Sequence, residues 1–174
     1  MRHLVKCSAI LVLAVALSAA PAGDKQKPAA QPERDEAFAK LAQFLGGTWT
    51  NDNPKFVIEF RYEWVLNKTA IRGIGTIDKG GPHEARIEST LGWDPVKKTV
   101  YYLDFHGGEQ VFFGTVTITG DQFQFDFDTI VGKAAKWRSV GKLSNSNTYE
   151  FTIFGQKDGQ WEPQHKIALK RKNS

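Results

Sequence analysis

With 174 residues, of which 41% are hydrophobic and 12% aromatic, the chain has enough apolar material for one core of ordinary size, and this excludes a disordered or fibrous protein. The formal charge of +4 falls to a small excess once Arg2 and Lys6 of the leader are set aside, leaving 21 basic against 19 acidic residues. So weak a field does not mark a nucleic-acid binder.

Residues 1–22 have the pattern of a secretory signal. Arg2, His3 and Lys6 supply the positive start, Ile10 to Leu17 an apolar core too short to span a bilayer, and Ala20-Pro21-Ala22 the small-residue cleavage site. The expected mature chain begins after Ala22 and is secreted or periplasmic. It holds no thiol, because the single cysteine, Cys7, lies in the leader. Disulfides and cysteine nucleophiles are thereby excluded, and no integral membrane segment is expected in the mature chain.

Residues 23–34 are rich in Asp, Lys, Gln, Pro and Ala and read as a flexible linker. The folded domain is expected over 35–174. Asp35 is placed to cap a short helix in which Phe38, Leu41, Ala42 and Leu45 recur at helical spacing, ended by Gly46 and Gly47. After Trp49 the period changes to two. From Phe56 to Leu66 one face reads Phe56, Ile58, Phe60, Tyr62, Trp64 and Leu66, the other Val57, Glu59, Arg61, Glu63 and Val65. Such alternation specifies a strand with an apolar inside.

Further strands follow at Ala70–Asp78, Glu84–Trp93, Thr99–His106, Gln110–Thr119, a run alternating Phe123, Phe125 and Phe127 with polar residues, Ala135–Leu143, Thr148–Gly155 and Trp161–Arg171. Gly73 and Gly75 would let a neighbour approach closely. Short turns throughout and no helical crossover predict an all-β, antiparallel up-and-down barrel of about ten strands; closure removes the edges that so long a meander would otherwise expose.

The Gly46-Gly47-Thr48-Trp49 stretch, the strand ending Trp64-Val65-Leu66, the segment Leu91-Gly92-Trp93-Asp94-Pro95 and Asp158-Gly159-Gln160-Trp161 resemble a family of exported bacterial proteins of unknown function with a lipocalin-like (calycin) barrel. The resemblance covers residues from about 36 to 171. It implies that Trp49 closes the base of the barrel under a basic side chain of the last strand, here Arg171, on the same face as Ile167 and Leu169. A weaker resemblance is to nitrobindin-type barrels, which bind haem through a histidine near the carboxyl end, a place His165 occupies. The Gly-x-Trp-x-Gly-x-Gly run of that family is Gly47-Thr48-Trp49-Thr50-Asn51-Asp52-Asn53 here, without the later glycines.

Catalytic signatures are absent: there is no serine-hydrolase elbow and no phosphate-cradling loop before a helix. His83, His106 and His165 show no metal-ligand spacing, so no metal and no cofactor are expected. His106 with Asp104, two apart on one strand face, or with Glu109 across the turn, would be the pair for a barrel hydrolase or isomerase. Arg72, Arg86, Glu88, Asp104 and Arg138 are charges whose direction the pattern leaves open; an inward one would anchor a ligand carboxylate or phosphate. The leading expectation is an exported monomer or weak dimer binding a small hydrophobic or amphipathic molecule, with Phe60, Tyr62, Trp64, Arg72, Tyr101, Phe125 and Arg138 as candidate contacts. A packed barrel working through its outer surface is the other alternative.

Overall fold

Residues 31–107 and 109–172 are described by the structure, a computed structural model. The signal segment and the linker from 23 to 30 lie outside the described residues. The first element is helix α1, Pro32–Leu41, followed by a 3₁₀ turn over Ala42–Phe44. This helix starts earlier than the spacing predicts. Pro32 occupies the first turn, where its missing N–H costs nothing, and Glu33 and Asp35 complement the positive end of the helix dipole. Asp35 is therefore not the cap; its carboxylate pairs with Arg34 at 2.7 Å.

Ten antiparallel strands follow: β1 (Thr48–Thr50), β2 (Ile58–Val65), β3 (Ala70–Ile77), β4 (Ala85–Asp94), β5 (Thr99–His106), β6 (Gln110–Thr119), β7 (Gln122–Val131), β8 (Lys136–Asn145), β9 (Thr148–Lys157) and β10 (Gln160–Lys172). Each pairs with its neighbours in the chain, and β1 joins β2 to β10, so the sheet closes into a barrel. The closing strand is only three residues long, but Trp49 faces both Phe60 of β2 and Arg171 of β10. A ten-strand antiparallel barrel with one short amino-terminal helix is the architecture the alternation predicts.

The helix and the 3₁₀ turn fill one end. Phe38, Leu41 and Phe44 are buried there with Trp49, Phe123, Tyr149 and Leu169. Tightening from 3.6 to 3 residues per turn puts Phe44 in line with Leu41, which is why Phe44 rather than Ala42 or Leu45 completes the plug. Its ring meets those of Trp49, Tyr62, Phe123 and Tyr149 at centroid distances of 4.9–5.9 Å. Trp49 is fully buried, and its indole N–H donates to the Phe44 carbonyl at 2.8 Å. The Arg171 guanidinium lies 4.6 Å over the Trp49 ring and donates to the carbonyls of Leu45 and Gln43. Gly47 makes this approach feasible: its φ is +68°, and a β-carbon there would sit 2.7 Å from the Lys172 carbonyl.

One irregularity re-aims a strand. Pro163 lacks an N–H, and β10 bulges between Pro163 and His165. Gln164 is the unpaired residue, so the side chains that follow change faces. Trp161 thus lies outside, over Arg138 at 4.5 Å, while His165, Ile167 and Leu169 line the interior.

Candidate ligand-binding site

Behind the plug the barrel interior leaves an open-ended pocket of about 300 Å³. This lies at the small end of the range of ligand sites, roughly 300–1,000 Å³. Its walls are mainly apolar and aromatic. On one side Phe60 and Tyr62 stack with centroids 6.2 Å apart and planes at 21°. They can lie flat because Gly73 and Gly75 oppose them on β3: a β-carbon at Gly73 would come within 2.8 Å of the Tyr62 ring, and one at Gly75 would collide with Phe60. Across the barrel Tyr149 and Phe151 stack likewise, 5.2 Å apart at 21°, beside Gly141. Tyr102, Phe125, Phe127 and Phe112 continue the wall through edge-to-face contacts at 5.4–5.6 Å. The glycines thus convert strand surface into flat aromatic panels instead of a filled interior.

The polar part of the lining is small: its one carboxylate is Asp104, and His106 and His165 are its two imidazoles. β5 points Tyr102, Asp104 and His106 inward, and Ser89 of β4 stands opposite Asp104. Asp104 is 2% exposed. Its Oδ2 lies 2.6 Å from His106 Nε2, whereas its Oδ1 is buried without a hydrogen-bond partner. The Tyr102 hydroxyl faces the same carboxylate in a geometry that leaves Oδ1 without a formed hydrogen bond. Burial holds the hydroxyls of Tyr62, Tyr102 and Tyr149 well above the usual tyrosine range; for Tyr62 and Tyr102 the Asp104 charge adds to it, and for Tyr149 the nearby Tyr62. All three therefore remain neutral donors and acceptors. No lysine or arginine lines the cavity among the described residues.

Of the candidate contacts, Phe60, Tyr62 and Phe125 line this cavity and the other four do not. Trp64 shares the inner face of β2 but is taken up by the plug, its ring 5.7 Å from Phe38. Tyr101 points outward across Gly92, one residue out of phase with the inward Tyr102. Arg72 is on the outer face, 3.0 Å from Glu88 and 3.7 Å from Glu63. Arg138 is also outside, 2.5 Å from Asp126 and stacked on Trp161. Of the charges whose direction the alternation leaves open, Asp104 points inward, and Arg72 and Arg138 point outward. Tyr102, Tyr149 and Phe151 also line the cavity, and the β2-type alternation extended through Thr99–His106 and Thr148–Gly155 identifies them; Ser89 of β4 lines it as well.

His106 and Asp104 do come together, whereas Glu109 is exposed in the β5–β6 turn. A carboxylate bonded to one imidazole nitrogen orients the ring, and no serine or threonine hydroxyl bonds to His106 among the described residues. No group of three or more potential metal ligands is found among the described residues. Outside the barrel, β5, β6 and β7 carry an apolar strip in which Phe105, Phe113 and Val131 are exposed, with Phe105 opposite Val111 and Val111 opposite Val131. No described helix is long and apolar enough to cross a membrane, which leaves strands unaddressed.

No protein-family model matches the sequence, and a search of curated proteins gives no significant match. Among solved structures the chain is similar to Rv2717c from M. tuberculosis, with 14% identity, a TM-score of 0.53, and coverage of 82% of this chain and 99% of that one. At this identity the likeness establishes the barrel fold alone.

Proposed function

We propose that this barrel is a binding protein of the lipocalin-like type, exported by its leader to the periplasm or beyond, that holds a small hydrophobic or amphipathic molecule between its aromatic panels. The observation that supports the reading is the cavity of about 300 Å³ walled by the Phe60–Tyr62 and Tyr149–Phe151 stacks. The affinity would come from apolar surface leaving water, about 25 cal/mol per Å² before ordering costs are deducted. The rings are already packed against glycine backbone and against Phe44 of the plug, so little of that gain would be lost in ordering them. Native mass spectrometry of freshly purified protein, followed by organic extraction, tests it: an adduct of small-molecule mass that extraction releases is expected. Bare mature mass, together with no uptake of added apolar compounds, would refute the reading.

Haem held through His165 fits less well. The His165 ring is exposed, and neither ring nitrogen has an orienting hydrogen bond among the described residues, whereas ligating histidines almost always have one. A Soret band after haem addition that persists in His165→Ala would remove this residue from that reading.

A further inference from the structure

We infer that the molecule held in this barrel carries a hydrogen-bond donor head, an amine above all, which docks on the buried carboxylate of Asp104, and that carboxylic acids of the same shape are excluded. The inference rests on the binding reading above and specifies the ligand class for the same cavity.

Asp104 is the only acidic residue in the lining, and no lysine or arginine accompanies it among the described residues. Its side chain is 3% exposed. A buried carboxylate ordinarily has its lone pairs filled, because each unfilled one forfeits hydration without replacement. Here the His106 ring fills one side, while Oδ1 has no formed hydrogen bond and is faced by the Tyr102 hydroxyl, which can turn to it or to an incoming head. A donor head completes the carboxylate, and an ammonium adds charge to the bond. A ligand carboxylate would instead bring a second negative charge beside Asp104 in a low-dielectric space. The tyrosine hydroxyls do not reverse the preference, since a hydroxyl serves an amine as acceptor and an acid as donor equally well. The aromatic panels favour a flat apolar body behind the head.

The test uses three probes with one body: naphthylmethylamine, naphthalenemethanol and naphthoate, titrated into the full mature protein by calorimetry at neutral pH. The amine is expected to bind tightest, the alcohol next, and naphthoate at least about tenfold more weakly than the amine, as a charged hydrogen bond would give. Asp104→Asn is expected to bring the amine and naphthoate within about threefold of each other while naphthalenemethanol still binds. Naphthoate binding as tightly as the amine in the wild-type protein would overturn the assignment even if the variant fails to fold. An unchanged amine preference in a folded Asp104→Asn would overturn it too. Binding of all three without preference leaves the carrier reading standing and sinks only the donor-head assignment. Binding of none sinks both.

Discussion

At the residue scale the base of the barrel hangs on Trp49, Arg171 and Gly47. Arg171 supplies donors to two carbonyls that the plug leaves open and covers the indole face, a cation–π contact worth about 0.5–2 kcal/mol. Arg171→Met is predicted to lower unfolding free energy by about 1–3 kcal/mol, read as an earlier urea midpoint. Gly47→Ala is predicted to cost at least about 1 kcal/mol by the same measurement, because alanine must take a positive φ against the Lys172 carbonyl. The buried tyrosines have their own signature. Their folded pKa values lie above the unfolded ones, so their contribution is fully present below pH about 10 and is lost as pH rises through the alkaline range. Three such groups predict a decline of up to about 4 kcal/mol per pH unit once unfolded tyrosines ionise. In an alkaline absorbance titration they should form phenolate only as the protein unfolds. Ordinary ionisation of all four tyrosines in a folded protein would contradict this burial.

At the scale of elements, the strands were legible and their irregularities less so. Thr99–His106 and Gln110–Thr119 have the bounds that the alternation gives, because turn glycines and polar pairs punctuate them. The helix was shifted because Pro32 and the acidic first turn outweigh Asp35 as a start signal. In β5 the inward tyrosine is Tyr102 and not the expected Tyr101, since two adjacent tyrosines give no phase of their own; only Val100, Asp104 and His106 taken together fix it. The direction of Arg72 and Arg138 depends on partners on neighbouring strands, Glu88 and Asp126, which pairing register decides and a single strand cannot. His165 keeps the inward face of Ile167 and Leu169, while the bulge after Pro163 puts Trp161 outside, a change of phase that strict alternation does not carry. The plug makes a separate prediction: Phe44→Ala should cost about 3–5 kcal/mol, because the ring is buried among four others.

For the whole molecule, glycine-backed aromatic panels, a packed plug and an inward carboxylate leave a cavity instead of a filled barrel, while the outer strip of Phe105, Phe113 and Val131 offers a rival apolar surface. Fluorescence titration with N-phenylnaphthylamine, comparing the wild-type protein with Ser139→Leu and with Phe105→Ser, separates the two. Ser139 lies on the cavity wall, so leucine there takes up space inside without touching the strip. Saturable binding by the wild-type protein, retained in Phe105→Ser and weakened at least about tenfold in a folded Ser139→Leu, is the predicted result. Binding that survives Ser139→Leu and disappears in Phe105→Ser would place the ligand on the outer face and contradict the account.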